Sequence, residues 1–163
     1  MKRTLSSLAA RAGGLGARVA VAAAHDGDVL AAVTAGAQNG VCSALLFGDG
    51  GRIRETLRSL SCEPDAFEIV ECADGEACAK AAVQAAADGR ADVLMKGALS
   101  TTVLMREVVR SPLMNGHLLS HVMLYELPSF GRLLANTDGG LNPAPDLERK
   151  KAILENAARL LRL

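Results

Sequence analysis

Between residues 18 and 96 four short apolar runs alternate with three longer stretches of helical periodicity, joined by polar turns. The apolar runs are residues 18–24 (RVAVAAA), 41–47 (VCSALLF), 67–72 (FEIVEC) and 92–95 (DVLM). Asp26-Gly27-Asp28 offers a helix start, because an aspartate side chain accepts the free amides of a first turn. Asn39-Gly40 supplies a stop. Ile53, Leu57 and Leu60 share one face of a second helix over 52–60, and 74–88 reads as an Ala-rich third helix ended by Gly89. Apolar strands alternating with helices mean parallel strands covered on both faces, joined by right-handed crossovers. The fold class expected is α/β, a three-layer sandwich with a mostly parallel sheet.

Composition narrows what such a layer is made of. Half of the 163 residues are hydrophobic, yet aromatics are 2% and tryptophan is absent, so the core must be Ala, Val and Leu. Few aromatics disfavour base-stacking platforms, and 18 basic residues against 18 acidic ones leave no overall field for nucleic acid or an anionic membrane. No apolar span approaches the length of a membrane helix, and no secretory signal is legible in residues 1–16. Cys42, Cys62, Cys72 and Cys78 form no CxxC pair and have no histidine at zinc-ligand spacing, so they read as reduced thiols in a cytoplasmic protein. HExxH and EF-hand spacings are missing as well, and no metal is expected.

After residue 96 the rhythm changes. Residues 103–110 read as a helix stopped by Ser111-Pro112. Residues 118–127 (LLSHVMLYEL) read as a strand ended by Pro128, with 131–136 (GRLLAN) as an antiparallel neighbour. Residues 137–145 form a Gly/Pro/Asn-rich loop, and 146–163 form a long helix capped by Asp146. The expected division is a lead-in over 1–17, an α/β domain over 18–136, and a loop and helix over 137–163.

Ligands in open parallel sheets bind beyond the carboxyl ends of the strands. There Lys96-Gly97-Ala98-Leu99-Ser100-Thr101-Thr102 joins a cation, a glycine that lets backbone approach a ligand, and three hydroxyls opening a helix. That is the chemistry of a phosphate site. An equally simple reading makes Ser100 or Thr101 an N-cap and Lys96 a solvated side chain. The order GxxxxGK[ST] is absent, and Gly13-Gly14-Leu15-Gly16 precedes the first strand, so neither a Walker loop nor a dinucleotide fingerprint is present. A second polar group is the loop from Asn136 through Thr137, Asp138 and Gly139-Gly140 to Asn142. A third is Ser120-His121, where His121 is read as lying in a strand. No residue is assigned as a catalytic base or nucleophile, because such groups are recognised by geometry.

Three segments together resemble the phosphate acetyl/butyryl transferase family: DVLMKGALSTTVLMREV (92–108), LLSHVMLYELP (118–128) and RLLANTDGGLNPAPDLERKKAILENA (132–157). The opening β-α-β unit from residue 19 is similar too. Met95-Lys96-Gly97 and the LNPAPDLERKKAILENA run are closer to the butyryl branch.

The resemblance implies reversible acyl transfer, acyl-CoA plus phosphate giving acyl phosphate plus CoA. A CoA thioester is then the substrate, and no bound cofactor is needed. It implies a fold like that of isocitrate and isopropylmalate dehydrogenases, two α/β domains with the active site between them, of which the second is largely missing from these residues. By position, Lys96, Gly97, Ser100, Thr101 and Thr102 match the family's strand-end turn. Arg106 falls where the acetyl branch carries a CoA-contacting arginine, Thr137, Asp138 and Asn142 match the loop leading out of the first domain, and His121 lies in the matched SHV segment. The implied partners are acyl-CoA, phosphate, and either further copies of the chain or a complementary second-domain chain. The alternative expectation is an inactive truncated module that binds CoA or phosphate, or assembles, without chemistry.

Overall fold

A computed structural model describes residues 4–127 and 129–162. The element order is α1 (Leu5–Ala12), β1 (Ala17–Ala22), α2 (Gly27–Gln38), β2 (Cys42–Gly48), α3 (Gly50–Ser59), β3 (Glu68–Glu71), α4 (Gly75–Ala87), β4 (Val93–Lys96), α5 (Thr101–Arg110), β5 (Met123–Glu126), β6 (Leu133–Asn136) and α6 (Leu147–Arg162). Short 3-10 turns follow α3 at Pro64–Ala66 and α5 at Pro112–Met114. The chain forms two compact units, Ala12–Leu113 and Met1–Arg11 with Met114–Leu163. The sequence boundaries instead run the first domain from 18 to 136, which takes in the β5–β6 pair.

In the first unit four parallel strands lie in the order β3-β2-β1-β4. The strands alternate strictly between two cores, as the two-residue period of a strand requires. Ala20 and Ala22 of β1 and Leu45 and Phe47 of β2 meet α4 and α5 through Cys78, Ala79, Ala82, Val83 and Leu104. Val21, Ala44 and Leu46 point the other way, onto Leu30 and Val33 of α2 and Ile53 and Leu57 of α3. The expected three-layer α/β sandwich with a parallel sheet is the observed architecture of this unit. Cys78 is part of the filling: burial first, then the neighbouring Cys72 thiol, pushes its thiol up to about 11, so it stays a small protonated hydrophobe. All four cysteines are free.

Each parallel strand hands over to a helix through a side-chain cap. Asp26 accepts from the Val29 amide at 3.0 Å, Asp49 from Arg52 at 3.0 Å, Asp74 from Ala77 at 2.8 Å and Ser100 from Val103 at 3.3 Å. Typically each cap contributes about 1 kcal/mol.

The second unit holds the antiparallel pair β5–β6, with Met123 opposite Asn136 and Glu126 opposite Leu133, and helix α6, whose first turn is capped by Asp146 accepting from the Arg149 amide at 2.9 Å. Three expectations need correction here. The strand read over 118–127 is confined to Met123–Glu126, because the carbonyls of Leu118, Leu119 and His121 accept from side chains instead of a neighbouring strand. His121 therefore lies in a loop before β5, not in a strand. The lead-in over 1–17 contains helix α1, started by reciprocal bonds between Thr4 and Ser7: the Thr4 amide donates to Ser7 Oγ at 2.8 Å and the Ser7 amide to Thr4 Oγ1 at 3.0 Å. Pro128, read as a strand terminator, lies outside the described residues, as do the first three residues and Leu163.

Glycines at two helix-entry turns make opposite predictions. A Cβ on Gly97 would lie 2.2 Å from the Ala23 carbonyl oxygen and 2.8 Å from that of Ala22, so backbone would have to move. Gly97→Ala should cost about 3 kcal/mol, read as a lower urea midpoint. A Cβ on Gly75, at the start of α4, meets only Leu99 Cβ at 3.7 Å. Gly75→Ala should stabilise by about 0.5 kcal/mol through the unfolded chain.

Candidate functional site

The strand order places β2 and β3 on one side of β1 and β4 on the other. The point where the order reverses is the gap between the carboxyl ends of β1 and β4, the place where open parallel sheets bind ligands. The Lys96–Thr102 turn leaves β4 at that point. It is bound to β1 by backbone, the Gly97 amide donating to the Ala22 carbonyl at 2.8 Å and the Ala98 amide to the Ala23 carbonyl at 2.8 Å. Gly97 is thus required by the approach of the turn to β1.

Within the turn the polar groups divide into committed and spare. Ser100 is the α5 N-cap, so that part of the simpler reading holds. Lys96 is exposed but not merely solvated: its Nζ donates to the Leu99 carbonyl at 3.0 Å and to the Gly97 carbonyl at 3.2 Å. An ammonium has three N–H donors, and two are spent on the turn. The third, the Thr101 and Thr102 hydroxyls on the exposed first turn, and the positive end of α5 all remain for an anion. Arg106, further along α5, lies 3.4 Å from Glu76 Oε1 on α4, with both side chains largely exposed. A pair of this kind holds by well under about 1 kcal/mol and yields readily to a doubly charged phosphate. His25 sits beyond β1 with its Nδ1 buried and without a hydrogen-bond partner.

The second unit gathers His121, Thr137, Asp138 and Asn142 into one cluster. Thr137 Oγ1 donates to the His121 carbonyl at 2.7 Å. Asp138 Oδ1 accepts from the amides of Gly140 at 3.1 Å, Leu141 at 3.2 Å and His121 at 3.3 Å, while Oδ2 accepts from the Asn142 amide group. Asn142 also donates to the Leu119 carbonyl at 2.9 Å. The Asn142 bond, then those from Leu141, His121 and Gly140, holds the Asp138 carboxyl below its ordinary value. The carboxylate is consumed in tying the loop to residues 119–121, which makes Asp138 an organiser of the loop. The His121 ring covers Gly139 so closely that a Cβ there would fall 1.9 Å from Nδ1. Asn156 of α6, missed from sequence, completes the cluster by donating to the Leu118 carbonyl at 2.8 Å and to Ser120 Oγ at 3.0 Å. Its signal was a polar residue between Ile153 and Ala157, the two buried residues of the helix.

Among the described residues no group of three or more His, Cys, Asp or Glu side chains is placed to hold a metal ion. Among the same residues no helix is long and apolar enough to cross a membrane.

The Asp138 loop carries a pH prediction. Its folded-state pKa is depressed, so the ordering it contributes is complete above the unfolded carboxylate value near 4 and is lost as pH falls through the folded value. Gly140 and Leu141 amide resonances should keep their shifts from pH 7 to about 5 and collapse toward random-coil values only in stronger acid. In Asp138→Asn they should be displaced already at pH 7, with the β1–β4 sheet unaffected.

No family model matches the chain. It is 38% identical over 144 residues to a probable phosphate butyryltransferase of Bacillus subtilis, a match covering 87% of this chain and 48% of that protein. Identity is 35% over 145 residues to the phosphate butyryltransferase of Clostridium acetobutylicum, covering 88% and 48%. It is also 35% over 158 residues to the phosphate acetyltransferase of Thermotoga maritima, covering 96% and 53%. Among solved structures, a branched-chain phosphotransacylase from Enterococcus faecalis superposes with a TM-score of 0.73 at 27% identity, over 90% of this chain and 51% of that one. A phosphotransacetylase from Streptococcus pyogenes shares the fold with a TM-score of 0.80 at 16% identity, over 98% and 60%. The chain spans about half the length of the curated relatives it matches. Over that half the chain is similar in sequence and in fold to phosphate butyryl- and acetyltransferases.

Proposed function

We propose that these residues form part of a cytoplasmic phosphate acyltransferase of the butyryl type, which interconverts acyl-CoA and phosphate with acyl phosphate and CoA. In the forward direction a phosphate oxygen attacks the thioester carbonyl, a C–O bond forms, the C–S bond breaks, and CoA leaves as the thiolate. The observation that carries the reading is the Lys96–Thr102 turn, which stands at the topological switch point in a chain 38% identical to a probable phosphate butyryltransferase.

In this reading the turn holds an anionic group, either inorganic phosphate or a phosphate of CoA. Lys96 contributes its third N–H, Thr101 and Thr102 their hydroxyls, and α5 its N-terminal field. Arg106 leaves Glu76 to take a further CoA phosphate. In the second unit Asp138 and Asn142 hold the loop, and Thr137 binds the His121 backbone. The acyl-CoA and phosphate need no metal or redox group for this chemistry, and the four free thiols suit a reducing compartment.

Calorimetric titration of CoA and, separately, inorganic phosphate into the protein tests the turn. Lys96→Ala should weaken CoA at least tenfold, the size of one charge-assisted hydrogen bond. Arg106→Ala should weaken it less, and Ser100→Ala should act on stability by about 1 kcal/mol more than on affinity. An affinity indifferent to Lys96 removes the turn from the site. Phosphate-dependent thiol release from butyryl-CoA then separates two outcomes: turnover establishes the acyltransferase, and CoA binding without turnover establishes the binding module.

A further inference from the structure

Cys72 and Cys78 have no part in the reaction proposed above, and they are neighbours. Cys72 follows β3 directly, and Cys78 stands four positions beyond Asp74, the N-cap of α4. Both pack into the core on the α4–α5 face of the sheet, whereas Cys62 packs into the core of the opposite face. The Cys72 thiol lies close enough to Cys78 to act on it both as a charge and as a hydrogen-bond partner. The two differ in access: Cys78 is 2% exposed, while Cys72 is only partly buried. Ala73, Asp74 and Glu76 between them are exposed, so the turn can follow the thiols as they come together. An accessible thiol beside a buried partner is the arrangement of an attacked and a resolving cysteine.

The pair also touches the backbone that holds the Lys96 turn. The Ala23 amide faces the Cys78 thiol and opposes the rise that burial imposes on it. The Ala23 carbonyl accepts the Ala98 amide at 2.8 Å. Ala23 itself is held at φ 58°, in the left-handed region that an L side chain rarely adopts. One strained residue therefore has the Cys78 thiol on its N–H and the Lys96 turn on its carbonyl.

We infer that Cys72 and Cys78 form a reversible oxidation site, in which a hydroperoxide converts the two thiols into a disulfide across the entry of α4, and that this closure is felt at the Lys96 turn. The Cys72 thiolate sulfur attacks a peroxide oxygen: the S–O bond forms, the O–O bond breaks, and the leaving hydroxide takes the proton that Cys72 lost. The Cys78 sulfur then attacks the Cys72 sulfur: the S–S bond forms, the S–O bond breaks, and the departing hydroxide takes the Cys78 proton. Two thiols lose two electrons, and hydrogen peroxide becomes two waters. A thiol reductant reverses the change by exchange.

Peroxide treatment of the full 163-residue chain, reduced and freed of reductant, tests this. Remaining thiols are alkylated, and the chain is cut with trypsin and a glutamate-specific protease. Cleavage after Glu71, Glu76 and Lys80 separates residues 72–76 from 77–80, so the two peptides stay joined only through the disulfide. Before alkylation the oxidised chain should be about 2 Da lighter, and the map should show this joined pair, alkylated Cys42 and Cys62, and free peptides again after dithiothreitol. Cys78→Ala, a small change in a core already rich in alanine, should stop at a Cys72 sulfenic acid that dimedone traps. Cys72→Ser should leave Cys78 alkylatable after unfolding, and circular dichroism verifies that both variants fold. In about 6 M guanidinium, where the sheet no longer separates Cys62 from the pair, the links should spread to Cys62–Cys72. The Ala98 amide resonance should move on oxidation and return on reduction. Thiols that both stay alkylatable, a link to Cys62 in the folded chain, or the same mixture of links folded and unfolded overturns the site. An Ala98 amide that does not move overturns the coupling to the turn.

Discussion

The structure of residues 12–113 depends on how little space β1 fills. Ala20, Val21, Ala22, Ala23 and Ala24 are completely buried, with β2 and β4 hydrogen-bonded on either edge and helices on either face. A strand of alanines lets α4 and α5 come close on one face. That closeness explains why α4 buries Ala79, Ala82 and Ala85 where a looser layer would need leucines. The same smallness reaches the site. The Gly97 amide and the Ala98 amide can bond to the Ala22 and Ala23 carbonyls only because no side chain intervenes on either partner. The position of Lys96 and the first turn of α5 is therefore a consequence of the packing of β1.

The parallel layer was legible in the sequence because each strand is a contiguous apolar run between aspartates, serines and glycines with defined backbone duties. Asp26, Asp49, Asp74 and Ser100 are local signals, acting within three residues of themselves. The second unit was harder for a related reason. Residues 118–122 have the alternation of a strand, but their carbonyls are claimed by Asn142, Asn156 and Thr137, which lie 16 to 38 residues away. A periodicity argument has no access to bonds of that range. Helix α1 was overlooked because its starting signal, Thr4 with Ser7, uses a serine where the usual reciprocal cap has a glutamate or glutamine.

The candidate residues were found by type, and the structure sorted them by what they have left to give. Asp138 and Asn142 looked like ligand groups because polar side chains in a glycine-rich loop often are. In the structure Asp138 Oδ1 and the Asn142 amide nitrogen are bonded within the loop and to residues 119–121, while Asn142 Oδ1 accepts no hydrogen bond from the described residues. Ser100 is taken up by α5 in the same way. Asp138 accepts three bonds on Oδ1 and one on Oδ2, and the pKa these bonds depress makes it a weaker base.

Lys96 is the contrasting case, and it shows how a cation in this turn suits anion binding. Two of its three donors are fixed on the Gly97 and Leu99 carbonyls, so the ammonium form is held in place and the remaining N–H has a set direction. A lysine aimed in this way is an electrostatic clamp for a phosphate group. A chain of zero net charge has no long-range field to gather such a ligand. Capture must then depend on the few donors whose partners are incomplete, and in the first unit these converge where the strand order reverses.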